Sequence, residues 1–230
     1  MTNLTIVTPM RDCAAIMPAY VQRVTGLDWP ADQLRVVISE GDSVDMTKSL
    51  LRLWMASECC RVTVVTADTG KPRYGSVVDP ERFRILATVF NAGLDAVDLE
   101  WTDCVLFLPA DIMIEPDLAR RLVASASSAT GAHILAPFVW MGGQFYDVWA
   151  FTRNGQPFAP FRLHVAASFG PDPVPMDTVG GTMLIHGDVL RAGVRYTEDE
   201  VDRGFCHAAR AQGFGVFADP TINVYHPRPE

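Results

Sequence analysis

The stretch DCVLFLPADIMIEP, Asp103 to Pro116, decides how the rest of the chain is interpreted. Val105 to Leu108 is an unbroken apolar run, which predicts a strand that is buried on both faces of a sheet. Pro109, Ala110 and Asp111 follow this run directly. A carboxylate at the carboxyl end of a central strand lies where open α/β sheets bind ligands. We therefore expect Asp111 to belong to a binding site.

Strands and helices alternate on both sides of this stretch. Short apolar or β-branched runs predict strands, and amphipathic runs between them predict helices. The predicted strands are Leu4–Val7, Leu34–Ser39, Arg61–Ala67, Val105–Leu108 and His133–Trp140. The predicted helices are Ala14–Val24, Met46–Ser57, Glu81–Val97, Leu118–Ser127 and Glu198–Gln212. This order predicts an α/β fold with a mostly parallel sheet and helices on both faces.

The residue composition and the hydrophobic pattern change after Trp140. The glycines and aromatic residues of 141–151 predict a hairpin or loop, and residues 154–175, rich in Pro, Phe and Gly, predict a long ordered loop. Two short strands are expected before His226. The chain contains no evident linker, so we expect one domain over residues 1–230, with a smaller mixed lobe in 141–230.

Composition limits the classes of function. The net charge is −8 and the pI is near 5.1, whereas a broad nucleic-acid-binding face needs clustered Lys and Arg. The five cysteines include no CxxC pair, and the N-terminus has neither a basic segment nor a long apolar one. We expect reduced thiols, no signal peptide, no membrane span and a cytoplasmic protein.

Polar side chains follow several predicted strands at the points where the strands end. These side chains are Thr8, Asp12, Glu40, Asp42, Asp111 and His226. The carboxyl ends of parallel strands meet at one edge, so we expect these groups to lie close together. Each also has an ordinary explanation, since Asp42 can cap a helix, Asp111 can be a turn residue and His226 can be a surface residue.

Two of these groups predict a metal site. Asp111 and His226 are suitable ligands for Mn²⁺ or Mg²⁺, and diphosphate oxygens with waters would complete an octahedral shell. Such a metal would offset the charge of a leaving nucleoside diphosphate. Arg84 and Asn91 share a face of the preceding helix and can reach a diphosphate or brace the loop around it. Arg82, on the same helix, is either a third such group or an exposed charge.

The second half of the chain contributes further candidates. An acidic cluster at a predicted helix start comprises Glu198, Asp199, Glu200 and Asp202. Acidic residues there complement the helix dipole, and one of them can instead deprotonate an acceptor hydroxyl. Gly180 and Gly181 let the backbone approach a ligand closely, or they form a bulge. Tyr146, Asp147 and Trp149 resemble a sugar-facing platform, or their rings belong to the core.

Several blocks of the chain resemble the fungal Golgi mannan-polymerase mannosyltransferases. The segment TIVTPMRDCAAIMPAYVQRVTGLDWPADQLRVVISEGDSVDMT is similar to their N-terminal catalytic segment, and ERFRILATVFNAGL to their Arg- and Asn-bearing helix. The Asp111 stretch corresponds to their DADI metal motif. GFCHAARAQGFGVFADPTINVYH resembles their closing helix, strand and metal-binding histidine, and YDVWAF resembles the cap-associated mannosyltransferases of fungi.

This resemblance implies the GT-A glycosyltransferase fold, which is Rossmann-like, with a nucleotide-sugar-binding half in 1–140 and an acceptor-side half in 141–230. It also implies a nucleoside diphosphate sugar donor and a divalent metal, Mn²⁺ or Mg²⁺. The residues carried over to the nucleoside are Thr8, Pro9, Arg11, Glu40 and Asp42. Asp111 and His226 are carried over to the metal, and Arg84, Asn91, Ala110 and Gly181 are further candidates for donor contacts.

Two departures from the family stand out. Pro109 occupies the place of the leading aspartate of the metal motif, which leaves metal binding to Asp111 and His226. No membrane anchor is evident, so we do not expect mannan to be the acceptor. The fungal family retains the configuration of the sugar, whereas the acidic cluster suits an inverting base. Asp202 or Glu200, close to the acidic pair of glycosyltransferase family 2, is then the candidate, with Asp199 beside them.

We therefore expect a glycosyltransferase that moves a sugar from GDP-mannose or a UDP-sugar to a hydroxyl acceptor of unknown class: a glycan, protein, metabolite or modified nucleobase. Two alternatives stay open. A nucleotidyltransferase would need a glycine-rich, basic first turn, and Thr8 to Asp12 contains no glycine. A non-catalytic nucleotide- or glycan-binding module is the second alternative, because Pro109 removes a metal-motif carboxylate.

Overall fold

A computed structural model describes residues 2–57, 61–75, 78–160 and 169–227. Cys59, Cys60 and residues 161–168 of the predicted long loop lie outside the described residues. Cys13, Cys104 and Cys206 are free thiols, as expected. Of the helices in the described ranges, none combines the length and the apolar content that crossing a membrane requires.

The first half of the chain alternates strands and helices as predicted. Its strands are β1 (Leu4–Met10), β2 (Leu34–Glu40), β3 (Arg61–Thr66) and β4 (Cys104–Phe107). Its helices are α1 (Met17–Thr25), α2 (Thr47–Met55) and α3 (Pro80–Asp95). Helix α3 begins sharply because the Asp79 side chain accepts hydrogen bonds from the first backbone N–H groups and Pro80 occupies the first turn.

The second half adds three helices, two long strands and several short ones. Its helices are α4 (Leu118–Ser128), α5 (Gly187–Arg191) and α6 (Asp202–Ala211). Its strands are β5 (Ala132–Met141), β6 (Gln144–Phe145), β7 (Thr152–Arg153), β8 (Gln156–Pro157), β9 (Val174–Pro175), β10 (Met183–His186) and β11 (Gly215–Tyr225). Strands β7 and β8 form a small separate antiparallel sheet, which matches the expected smaller mixed lobe.

Among the described residues, nine strands form one sheet in the order β3-β2-β1-β4-β10-β5-β11-β9, with β6 paired to β5. Strands β1 to β4 are parallel, β10 is antiparallel to both β4 and β5, and β11 is parallel to β5. The expected mostly parallel α/β sheet is therefore confirmed. Because β11 runs in the same direction as β4, the residues after both strands emerge at one edge of the sheet.

Alternate side chains of the central strands enter two hydrophobic layers. Val7, Val105 and Phe107 pack on one face of the sheet, and Ile6 and Leu106 pack on the other. All five are at most 1% exposed. This two-sided burial explains why the central strands appear in the sequence as apolar runs rather than as alternating patterns.

Two predicted elements differ from the structure. The helix predicted from Glu198 begins only at Asp202, because residues 197–201 form a turn in which Val201 has φ 44° and its N–H bonds the Thr197 carbonyl at 3.0 Å. The two short strands expected before His226 are one strand, β11, with register irregularities against β5. The hairpin expected after Trp140 is present as the β5–β6 pair.

Candidate active site

Two cavities lie at the carboxyl edge of the sheet, and they meet at Asp111. The first has a volume of about 530 Å³ and the second of about 380 Å³. Both are lined by Arg82, Leu86, Phe90, Pro109 and Asp111. A ligand that spans this junction would therefore contact Asp111 from either side.

The first cavity is lined by three arginines and by three aspartates, Asp12, Asp42 and Asp111, so charges of both signs line it. Its walls come from the loop after β1, the residues after β2, the loop before α3 and α3 itself. Arg11, Arg73 and Arg82 line it, as do Pro9 and Ala110. Guanidinium groups bind phosphate oxygens in a planar, bidentate geometry, so these arginines can bind the phosphates of a ligand.

Asp42 holds one wall of the first cavity in place. Its carboxylate accepts hydrogen bonds from the Thr69 N–H at 2.9 Å, the Thr69 hydroxyl at 2.6 Å and the Gly70 N–H at 2.9 Å. Desolvation raises the pKa of Asp42, but these hydrogen bonds outweigh it and leave the pKa below its ordinary value. Arg11 donates to the Lys71 carbonyl at 2.7 Å and so ties the same loop to the loop after β1.

Thr8 and Glu40, both named above for the nucleoside, lie beneath the cavity rather than along it. Thr8 is fully buried, and its hydroxyl bonds the Tyr20 hydroxyl at 2.6 Å. Glu40 is 2% exposed, accepts from the Ser43 N–H at 2.9 Å and pairs with Lys48 at 3.5 Å. Their side chains are satisfied within the protein and support the strand ends.

Asp111 and His226 come together at the junction of the cavities. His226 Nε2 lies 3.2 Å from Asp111 Oδ2, and His226 Nδ1 lies 2.7 Å from the Pro227 carbonyl oxygen. Tyr146 stacks on the imidazole with ring centroids 4.2 Å apart. The His226 side chain is 17% exposed, whereas that of Asp111 is 44% exposed and faces the cavities.

The electrostatics of this pair favour opposite charges. Desolvation alone would raise the pKa of Asp111, but the hydrogen bond from His226 lowers it below its ordinary value. The same hydrogen bond raises the pKa of His226 above 6.5, although desolvation acts against it. Without another ligand, the imidazolium donates one N–H to Asp111 and the other to Pro227.

The pair fits a divalent metal that also takes ligands from a substrate. Two ligand atoms in adjacent positions of an octahedral shell are about 3 Å apart, close to the separation seen here. Over residues 2–57, 61–75, 78–160 and 169–227, no group of three His, Cys, Asp or Glu side chains is placed to hold an ion. Mg²⁺ and Mn²⁺ sites often combine one or two protein ligands with phosphate oxygens and waters. With Pro227 accepting from Nδ1, a neutral His226 would offer its Nε2 lone pair to such an ion in place of the hydrogen bond to Asp111.

The second cavity brings two carboxylates, Asp147 and Asp202, around Gly180. A Cβ at Gly180 would lie 2.9 Å from Asp147 Oδ2 and 3.2 Å from the Asp202 Cβ, so only glycine allows this approach. Burial raises the pKa of Asp147 to about 6, against the effects of an Ala150 backbone hydrogen bond and nearby cations. Burial and the charge of Asp147 also raise the pKa of Asp202 well above its ordinary value, despite Arg82.

Of the acidic cluster, one residue faces the second cavity and the others lie towards the protein surface. Asp202 lines the second cavity, and its buried Oδ1 atom has no hydrogen-bond partner among the described residues. Glu200 pairs with Arg203 at 3.5 Å and His207 at 3.1 Å. Asp199 is exposed at the surface. Of the three catalytic candidates, the structure therefore brings only Asp202 to the cavity.

Gly181 and the aromatic platform belong to the same cavity. Gly181 has φ +66°, which a residue with a side chain rarely adopts, and it lies beside Asp147. Tyr146 and Trp149 both line the cavity, and the Trp149 ring packs against Phe83 with centroids 5.0 Å apart. Aromatic faces next to carboxylates are suited to binding hydroxyl-rich ligands.

Arg84 and Asn91 share a face of α3, as predicted, but this face meets the chain at 196–198. Arg84 Nε lies 3.8 Å from Glu198, and Asn91 exchanges two hydrogen bonds with the Tyr196 backbone at 2.8 and 2.9 Å. Neither side chain lines the two cavities described here. The arginine at the junction is Arg82.

Arg82 and Asp147 line the site although local sequence patterns point to them only weakly. Arg82 falls on one helical stripe with Leu86 and Phe90, and all three line both cavities. That i, i+4, i+8 spacing was a usable signal. Asp147 is the carboxylate within the aromatic segment 145–151, but its burial depends on contact with Gly180, which no local pattern reveals.

The comparisons with known proteins identify the fold through solved structures. No protein-family model matches the chain, and no curated protein matches it. A fragment of S. aureus TarS in complex with UDP-GlcNAc matches with a TM-score of 0.69 and 13% identity, covering 100% of this chain and 59% of that one. The mannosyltransferase PcManGT from Pyrobaculum calidifontis, in complex with GDP-Man and Mn²⁺, matches with a TM-score of 0.66 and 15% identity, covering 99% and 57%.

These matches confirm the expected fold class. This chain shares its fold with proteins solved in complex with nucleotide sugars, at identities that establish the fold alone. It spans less than two thirds of the length of either of them.

Proposed function

We propose that this chain is a glycosyltransferase that moves a hexosyl group from a nucleoside diphosphate sugar to a hydroxyl acceptor. The observation that carries the proposal is the meeting, at Asp111 and His226, of a cavity lined by three arginines and a cavity that contains the carboxylates of Asp147 and Asp202. This arrangement provides one chamber for the leaving nucleotide and another for the acceptor. Residues 1–140 then supply the donor side, and residues 141–230 supply the carboxylates of Asp147 and Asp202 on the acceptor side.

On the donor side, the guanidinium groups of Arg11, Arg73 and Arg82 balance the charge of the diphosphate. Asp111 and His226 would hold Mn²⁺ or Mg²⁺ against its oxygens, and the metal would supply further charge neutralisation as the nucleotide leaves. GDP-mannose is our first choice of donor and a UDP-sugar the second. The resemblance to the fungal mannosyltransferases supports this order, whereas the solved neighbours include both kinds of donor, GDP-Man in PcManGT and UDP-GlcNAc in TarS.

On the acceptor side, Asp202 acts as the general base. The acceptor oxygen attacks the anomeric carbon, the bond from that carbon to the diphosphate oxygen breaks, and Asp202 takes the hydroxyl proton. Burial strengthens the carboxylate as a base, because it raises the pKa. A base on the side opposite the leaving group predicts inversion at the anomeric carbon.

The test uses Asp202→Asn with Asp199→Asn as its matched control. Nucleotide release is measured with GDP- and UDP-sugars, with and without Mn²⁺, and the product anomer is determined by NMR. We expect Asp202→Asn to lose roughly 10²–10⁴-fold in turnover while Asp199→Asn keeps it. Donor binding, followed by thermal shift, should persist in both variants.

Two results would count against this account. If Asp202→Asn turned over at the wild-type rate, or if the product retained the configuration of the sugar, Asp202 would be excluded as the general base. Donor binding without turnover in the wild-type protein would favour a non-catalytic nucleotide-sugar-binding module, which the Pro109 substitution of the metal motif makes the second candidate.

A further inference from the structure

Tyr196 is a polar neighbour of the proposed base Asp202 and has no role in the proposed reaction. Tyr196 lies in the segment before α6 and is 4% exposed. Its ring stacks on Phe205 of α6 with centroids 4.8 Å apart, and Phe90 packs against it at 5.0 Å. Asp202 and Phe205 are three residues apart on α6, so they lie on the same side of the helix.

The hydroxyl of Tyr196 and the Oδ1 atom of Asp202 are both buried, and neither has a hydrogen-bond partner among the described residues. A buried polar group without a partner is destabilising, so unpaired groups of this kind call for an explanation. One group is a donor and the other an acceptor. A single contact between them would satisfy both.

The backbone around Tyr196 is fixed at two points. Asn91 of α3 accepts from the Tyr196 N–H at 2.8 Å and donates to the Tyr196 carbonyl at 2.9 Å. Gly204 lets the neighbouring residue, Thr197, pack directly against α6, where any Cβ would collide with the Thr197 side chain. The phenol is therefore held against the helix that carries Asp202, and its ring has little freedom to move away.

Several charged or titratable side chains of the described residues act on the Asp202 carboxylate. Asp147 and Arg82 act on Asp202 from the cavity side, and Cys206 lies one turn further along α6. Burial raises the pKa of the Tyr196 phenol well above its ordinary value, and Asp202 and Cys206 raise it further. The phenol consequently remains protonated, so it can only donate to the carboxylate when Asp202 is ionised.

We propose that Tyr196 is a positioning residue whose hydroxyl donates to Asp202 Oδ1 in the reactive state and leaves the other carboxylate oxygen to the acceptor. The proposal rests on the assignment of Asp202 as the base. Asn91 then acts through Tyr196, as the side chain that fixes the phenol.

Tyr196→Phe tests this directly, because it keeps the ring and removes only the hydroxyl. Loss of a hydrogen bond to the ionised carboxylate should raise the pKa of Asp202, and the acid limb of the kcat/KM profile should move up by about one pH unit. The KM for the donor should not change. Tyr20→Phe is the matched control, since its buried hydroxyl bonds Thr8 at 2.6 Å in the other hydrophobic layer. It should leave the profile in place.

A second readout does not depend on turnover. The carboxyl of Asp202 is titrated by ¹³C NMR in the ligand-free protein, with its resonance assigned by loss in Asp202→Asn. A higher apparent pKa in Tyr196→Phe supports the contact, and an unchanged titration together with an unchanged rate profile overturns it. If the wild-type protein transfers no sugar but the titration shifts, the contact stands and the proposed function fails.

Discussion

Replacing Asp147 with Asn should make the protein more stable at neutral and alkaline pH. In the wild-type protein this side chain is enclosed by Gly180, Ala150 and Asp202, so ionising it places a negative charge in a poorly solvated site. Asparagine has nearly the same shape and keeps an oxygen for the Ala150 backbone hydrogen bond. Only the charge is removed.

The magnitude follows from the pKa. Burial raises the pKa of Asp147 from 3.8 to about 6. A carboxyl that holds its proton more tightly in the folded state makes the free energy of unfolding fall as the pH rises from about 4 to about 6, with no further loss above that. The full difference corresponds to about 3 kcal/mol. We expect a gain of about 1–3 kcal/mol for Asp147→Asn at pH above about 7, because solvent reaches part of the side chain.

The assay is thermal or urea unfolding of both proteins across this pH range. For a chain of this size the gain corresponds to a rise in Tm of roughly 2–10 °C. The two proteins should have similar stability near pH 4, where both side chains are neutral. Equal stability of Asp147→Asn and wild type at pH 8, or a difference that is largest in acid, would refute the burial of this carboxyl. Asp199→Asn, which alters an exposed carboxylate, serves as the control.

Two further predictions concern the candidate metal ligands Asp111 and His226 and the packing of Gly204 in the first turn of α6. Mn²⁺ affinity, measured by calorimetry, should decrease as the pH is lowered from about 8 to about 5.5. The raised pKa of His226 favours a proton on Nε2, and the metal must displace this proton to bind there. Asp111→Asn should lose most of this affinity at both pH values, and a pH-independent affinity would exclude His226 as a ligand. Gly204→Ala should lower stability by about 1–3 kcal/mol in urea unfolding, because its Cβ would overlap Thr197. Gly75→Ala, with open space around it, is the control, and equal losses in the two variants would contradict the packing.

Much of the fold follows from local sequence patterns. The alternation of apolar strands and amphipathic helices predicted the parallel sheet, and sheet geometry then predicted that Asp111 and His226 would emerge at the same edge. The structure places them 3.2 Å apart. A strand direction and a hydrophobic pattern are both local properties, so the sequence displays them.

The remaining parts of the site depend on contacts between distant segments. The positive φ of Val201 delays the start of α6, which moves Glu200 outward and leaves Asp202 facing the cavity. Asn91 binds the backbone of Tyr196, on a segment whose position depends on the close approach at Gly204. Patterns of spacing identify a face of a helix, but they do not identify the segment that covers it.

The place of β10 also determines the order in which the sheet can be completed. Strands β4 and β5 do not pair with each other, because Met183–His186 lies between them. During synthesis, a nascent chain that ends near residue 140 has both of these strands but lacks the segment that joins them. Each of these two apolar strands then has an edge with unpaired backbone N–H and C=O groups, which can pair with another chain and start aggregation. We infer that the two portions of the sheet stay separate until the chain beyond residue 186 has left the ribosome.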